Sequence, residues 1–199
     1  GPNILLVRAE SPFKSVKDIV DAAKAQPGKL SYASQGNGTS AHLAGEMFEN
    51  LAQAKVTHVP YRGAAPAMTD LLGGQVDMMF ATAAAAAPQI AGGKLRALAV
   101  TSTERSPAMK SVPTIAETVP GYAVESWYGL FAPAGTPPDV IARLNAAARQ
   151  AAQTPDFRKK IEPEGLMVTA GTPEELDAYG KREEARWRRI VKENNLKPD

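Results

Sequence analysis

Leu30-Ser31-Tyr32-Ala33-Ser34-Gln35-Gly36-Asn37-Gly38-Thr39-Ser40-Ala41-His42-Leu43-Ala44-Gly45-Glu46 carries the reading of the fold. Leu30 to Ala33 is a short apolar run of strand length. Ser34 to Ser40 is rich in turn formers. From Ser40 an apolar period of three to four residues begins and runs to about Ala52, as in a helix. Strand, glycine loop and helix in that order form the repeating unit of an α/β protein.

The same alternation runs outward in both directions. Asn3 to Val7 reads as a buried strand, and Ser15 as the cap of a helix ending near Ala25, before Pro27-Gly28. Val56 to Val59, Val76 to Phe80 and Leu95 to Val100 read as strands. Pro66 to Leu72 and an Ala-rich stretch from about Thr82 to Ala91 read as helices. Strands alternating with helices predict a parallel or mixed sheet covered on both faces. Ser102 to Gly121 holds three prolines and reads as a connector with short helical turns. Val124 to Phe131 is strand-like. Beyond Asp139 the chain reads as helices over Val140 to Gln153, Asp156 to about Glu162, and Pro173 to Asn194, the last opened by Thr172-Pro173-Glu174-Glu175. The predicted division is an α/β unit over residues 1–123 and a crossover strand with a helix-rich segment over 124–199.

Composition narrows the function. The chain has 199 residues, 44% hydrophobic and 22% charged, with a net charge of +2. That length buries a substantial core, and a near-neutral balance provides no basic field for nucleic acid. With no cysteine there is no disulfide framework, thiol nucleophile or thiolate metal site. The longest apolar stretch, Met78 to Ala87, is short of the ~20 residues a membrane span needs. No Gly-x-Ser-x-Gly, His-Glu-x-x-His or P-loop sequence occurs. Two histidines without a ligand-spaced carboxylate cluster give no metal site, and no cofactor is called for.

Three features are site-like. In the loop Ser34, Gln35, Gly36, Asn37, Gly38, Thr39, Ser40, the glycines let backbone approach a ligand, and the hydroxyls and first-turn N–H groups of the helix suit an anion. Spacing alone leaves open an ordinary Gly-rich turn with a Ser/Thr cap. His42 shares a face with Glu46, Glu49 and Gln53, opposite a core stripe of Leu43, Met47 and Leu51. It reads either as a surface histidine or as a group reaching the mouth of the loop. Tyr61-Arg62-Gly63 joins a strand end to a helix start, where open α/β sheets place ligands, and Arg62 is either a carboxylate partner or a turn residue. Trp127 and Tyr128 read first as core. Leu176, Tyr179, Trp187 and Ile190 form a core stripe, while Arg182, Arg186, Arg188, Arg189 and Lys192, interleaved with Glu183, Glu184 and Glu193, read as a solvated face.

The loop and helix sequence above, His58-Val59-Pro60-Tyr61-Arg62-Gly63, Asp70-Leu71-Leu72-Gly73-Gly74-Gln75-Val76-Asp77, Gly93-Lys94-Leu95-Arg96-Ala97-Leu98-Ala99-Val100-Thr101 and Trp127-Tyr128-Gly129-Leu130-Phe131-Ala132-Pro133-Ala134-Gly135-Thr136-Pro137 together resemble the Bug family. These are the extracytoplasmic solute receptors of tripartite tricarboxylate transporters. The resemblance implies a type II periplasmic-binding-protein architecture, two α/β lobes joined by crossing strands and closing on a ligand. Here it implies one complete lobe plus the C-terminal return segment of the other. It implies a non-catalytic receptor in the bacterial periplasm, with a small carboxylate (a di- or tricarboxylate or an amino acid) as ligand. The membrane components of the transporter are the implied partners. The carboxyl group would be held by backbone N–H groups, hydroxyls and water. On this chain that falls to Ser34 through Ser40 and His42, with Tyr61, Arg62 and Gly63 on the next rim.

Two departures from the family pattern stand out. After Phe80 the usual acidic or amide residue is replaced by Ala81-Thr82-Ala83-Ala84, which leaves no amine-selecting group there. Family members also carry a stretch ahead of the position of Asn3. Without it, the expectation is a dimer formed by exchanging tail segments, or exposed apolar surface. Two rivals remain open on sequence: an α/β enzyme using His42 as a base, and the effector domain of a regulator.

Overall fold

The computed structural model describes residues 1–162 and 165–193. It divides into two compact units, Gly1–Ser126 and a second beginning at Trp127.

The first unit is built on a five-stranded mixed sheet. Its elements are β1 (Asn3–Arg8), α1 (Val16–Ala25), β2 (Ser31–Ser34), α2 (Ser40–Ala52), β3 (Thr57–Pro60), α3 (Ala64–Leu72), β4 (Met78–Thr82), α4 (Ala83–Ala91) and β5 (Leu95–Val100). The strand order is β3-β2-β4-β1-β5. β2 runs parallel to both β3 and β4, and β1 runs antiparallel to β4 and β5. Successive side chains of a strand face opposite sides. Accordingly Ile4, Leu6, Ala33, Met79 and Ala81 pack with Ala67, Leu71 and Ala86 on one face. On the other face Tyr32 meets Phe80 edge-on, centroids 5.8 Å apart. Ser15 caps α1 through a reciprocal pair: its hydroxyl accepts from the Asp18 N–H at 3.2 Å, and the Asp18 carboxylate accepts from the Ser15 N–H at 3.0 Å.

The helix α2 packs differently from its sequence reading. Its buried residues are Ala41, His42, Ala44, Gly45, Met47, Phe48 and Ala52, while Leu51 is exposed. The face bearing His42 is the one turned inward. Small residues win it because the helix lies close on Tyr32: a Cβ at Gly45 would stand 2.1 Å from the Tyr32 ring.

The segment from Ser102 to Gly121 forms two short 3-10 turns, as the prolines suggest. Val124 to Phe131 does not form the expected strand. Val124 N–H donates to Thr101 O, Glu125 bridges to Pro2, and Ser126 exchanges backbone hydrogen bonds with Gly1. Beyond Ser126 no ladder partner is available among the described residues, and a strand without one leaves its backbone groups unpaired.

The second unit holds α5 (Pro138–Ala152), α6 (Pro155–Ile161) and α7 (Pro173–Glu193). Thr172 and Glu175 cap α7 reciprocally, each backbone N–H bonded to the other's side chain. The expected core stripe on α7 is only partly so: Ile190 is buried, while Leu176, Tyr179 and Trp187 are half-buried. Tyr179 meets Trp127 edge-on at 5.4 Å. Trp127 and Tyr128 are not core. Tyr128, Leu130 and Phe131 are 79%, 73% and 71% exposed, and Trp127 is also exposed. Asn194 lies outside the described residues.

Candidate functional site

Three neighbouring parallel strands, β3, β2 and β4, each lead into a helix at the same edge of the sheet. α2, α3 and α4 therefore begin side by side. A helix start presents unsatisfied N–H groups and the positive end of the helix dipole, so this edge favours an anion. Gly63 before α3 and Thr82 before α4 make no side-chain cap.

The loop between β2 and α2 is held from inside. Ser34 is buried. Its hydroxyl accepts from the Gly36 N–H at 3.1 Å and pairs with His58 Nε2 at 2.7 Å. Gly36 sits at φ 138°, and a Cβ there would lie 3.3 Å from Tyr61 O, so the turn needs glycine. Thr39 Oγ1 donates to Gly36 O at 2.7 Å and accepts from the His42 N–H at 3.4 Å. The Gln35 side chain reaches across to donate to Phe80 O, at 3.1 Å. The next rim is stitched on by the Tyr61 N–H to Ser34 O and the Gly63 N–H to Gln35 O, both at 3.1 Å.

His42 is neither a surface group nor free to act as a base. Its Nδ1 accepts from the Gly38 N–H at 3.0 Å, so that nitrogen carries no proton, and Nε2 faces Glu46 Oε1 at 3.4 Å. The ring is buried and parallel to His58. Tyr32 also stacks on His58, with centroids 4.8 Å apart. Burial holds the Tyr32 phenol protonated well above its ordinary range, and it donates to His42 O at 3.2 Å.

Unpaired donors remain at the start of α2. The N–H groups of Ser40 and Ala41 find no acceptor among the described residues. The Ser40 hydroxyl accepts from Asn3 Nδ2 at 3.1 Å and from Ser126 Oγ at 2.8 Å. Sequence reasoning missed Asn3 and Ser126, because each lies far along the chain from the loop. On the rim, Tyr61 OH donates to Asp70 at 2.7 Å. Burial, then the Asp70 carboxylate, pushes this phenol up to about 12. Arg62 is exposed and is the one lysine or arginine of the three strand–helix junctions (34–42, 60–66 and 80–85). No group of three or more metal-ligating side chains occurs among the described residues. No described helix is long and apolar enough to cross a membrane.

The family model of the tripartite tricarboxylate transporter family receptor matches residues 1–196. The chain belongs to that family. A relative from Pseudomonas sp. (strain P51), the UPF0065 protein in the tcbD-tcbE intergenic region, is 42% identical over 98% of this chain and 59% of its own length. The solved structure of Rpa4515 of R. palustris with adipate is 33% identical, with a TM-score of 0.89 over 100% of this chain and 67% of that one. MatC of Rhodopseudomonas palustris with bound malate is also 33% identical, with a TM-score of 0.81 over 96% of this chain and 66% of that one. The chain thus spans about three fifths of the length of that Pseudomonas relative. The motifs quoted at the outset therefore pointed to the right family, which is one of transport receptors rather than enzymes.

Proposed function

We propose that this chain supplies the ligand-binding lobe of a periplasmic receptor that captures a small carboxylate and presents it to the membrane components of a tripartite tricarboxylate transporter. The observation that carries the reading is the start of α2, where two adjacent N–H groups and the proton of the Ser40 hydroxyl stand unspent beside two further helix starts. A carboxylate accepts from all three without needing a basic side chain. The junctions Ala64-Ala65 and Ala83-Ala84 add methyl groups and no acid. A dicarboxylate with an aliphatic spacer fits this lining better than an amino acid does.

In this reading Ser34, Gln35, Gly36, Asn37, Gly38, Thr39 and His42 shape the loop. Ser40 and Ala41 meet the ligand, and Tyr61, Arg62 and Gly63 form the facing rim. Residues 1–123 are the lobe, and 124–199 are the return segment of a second lobe. The exposed Tyr128, Leu130 and Phe131 then form a face that a further lobe segment or a second copy of the chain covers.

Three charge-assisted hydrogen bonds contribute about 1.5–3 kcal/mol each, and a helix end about 0.3–1 kcal/mol. Micromolar affinity needs about 8.2 kcal/mol beyond the ordering cost of association. One lobe alone therefore binds more weakly than micromolar. The test is a thermal-shift panel of mono-, di- and tricarboxylates and acidic amino acids, read together with the oligomeric state by light scattering. A rise in midpoint with dicarboxylates at millimolar concentration is expected. No shift with any carboxylate, from a protein that melts cooperatively, would sink the reading.

A further inference from the structure

The hydroxyl of Ser40 is gripped from the two ends of the first unit. Asn3, the first residue of β1, is fully buried and donates from Nδ2 to Ser40 Oγ at 3.1 Å. Ser126, where the unit ends, donates from its hydroxyl to the same oxygen at 2.8 Å. The two donors are held beside each other. Gly1 and Ser126 exchange backbone hydrogen bonds of 2.7 and 2.9 Å. Asn3 is fixed by Thr101, whose hydroxyl accepts from the Asn3 N–H at 2.7 Å.

A serine hydroxyl has two lone pairs and one proton. Asn3 and Ser126 take both lone pairs, so the proton is all that Ser40 has left to give. It must point away from both donors. Ser40 is also the first residue of α2, where its own N–H and that of Ala41 lack acceptors.

Asn3 carries a cost as well. Its Oδ1 is buried with no hydrogen-bond partner. An orphaned buried acceptor destabilises the fold, and an apolar side chain of similar size would avoid it. A residue that costs stability while orienting a ligand-facing hydroxyl breaks a local rule of the kind that functional sites break.

We propose that Asn3 and Ser126 are positioning residues for carboxylate recognition, fixing the Ser40 hydroxyl so that its proton is delivered to the ligand. This rests on the reading of the α2 start as a carboxylate site. Neither residue is expected to touch the ligand; both act through Ser40.

The experiment is a double-mutant cycle on this chain, with Kd for adipate and for malate measured by calorimetry and the melting midpoint recorded alongside. Ser126→Ala and Asn3→Ala should each weaken binding about fivefold, and neither should weaken it further in a Ser40→Ala background. Asn3→Asp keeps the size but turns the donor into an acceptor, draws the Ser40 proton back, and should weaken binding more than Asn3→Ala. Ser126 is only half-buried, so Ser126→Ala should fold even if the Asn3 variants do not. Binding by Ser126→Ala equal to that of the unsubstituted protein, or losses that add to that of Ser40→Ala, would overturn the proposal alone. Failure of the unsubstituted protein to bind either probe or any panel carboxylate would instead overturn the carboxylate reading, and this proposal with it. A readout without ligand checks the network directly. Ser126→Ala should shift the Asn3 side-chain amide signals in a nitrogen–proton correlation spectrum, and unchanged signals would overturn it.

Discussion

The imidazole rings of His42 and His58 lie parallel, with centroids 4.1 Å apart and 7° between their planes. One ring comes from the helix after the loop and the other from the edge strand. The parallel register that pairs Tyr32 with His58 puts Tyr32, Ser34 and His58 on one face of the sheet. α2 then lays His42 over that face. The pair thus joins the two backbone features of the site: His58 holds Ser34 at the start of the loop, and His42 holds Gly38 near its end.

His42 is therefore expected to act on the ligand through the loop. His42→Leu removes the acceptor for the Gly38 N–H, and the loss of one such bond is about 0.5–1.5 kcal/mol. Carboxylate affinity should fall several-fold. His42→Asn, whose side-chain oxygen can accept from Gly38, should keep more of it. Titration calorimetry of the two variants checks this, and equal affinity in both and in the parent protein would refute the role.

Much of this was legible in the sequence, for identifiable reasons. Elements with strong period and punctuation, such as Ser15 to Ala25 or the strand–loop–helix from Leu30 to Ala52, matched closely because local chemistry decides them. The face of α2 did not, because large apolar residues were weighed above the small ones that let the helix approach Tyr32. Val124 to Phe131 has strand composition, but a strand also needs a neighbour, and composition does not supply one. In the site, the loop was legible from Gly36 and Gly38. The grip on Ser40 was not, since Asn3 and Ser126 stand 37 and 86 positions away.

The close approach at Gly45 gives a prediction whose sign opposes helix propensity. Gly→Ala within a helix ordinarily gains about 1 kcal/mol. Here the new methyl would collide with the buried Tyr32 ring, and overpacking costs ~1–3 kcal/mol. Gly45→Ala should lower the melting midpoint by a few degrees. It should also weaken carboxylate binding, since Tyr32 stacks on His58. Gly180→Ala in α7, where a Cβ meets nothing within 4 Å, should raise the midpoint instead. Thermal melts of the two variants decide it; a rise for Gly45→Ala would refute the collision with Tyr32.

Glu117 gives the connector a pH signature. Its carboxylate accepts two hydrogen bonds from the Arg105 guanidinium, at 2.8 and 2.7 Å, and one from the Thr114 N–H at 3.1 Å. Arg105 first, then the Thr114 N–H, lower its pKa from 4.5 to about 2. A carboxyl depressed in the folded state stabilises the fold above its unfolded value and loses that contribution as pH falls through the folded one. Glu117→Gln should therefore melt below the parent protein at pH 6 to 7. The gap should narrow as pH drops below 4.5 and close near 2. Asp18, also depressed, by the Lys14 backbone N–H, is present in both proteins and cancels in the difference. Because both partners are half exposed to solvent, added salt should shrink the gap at neutral pH. A gap independent of pH between 2 and 7 would show that the contact holds the connector through shape rather than charge.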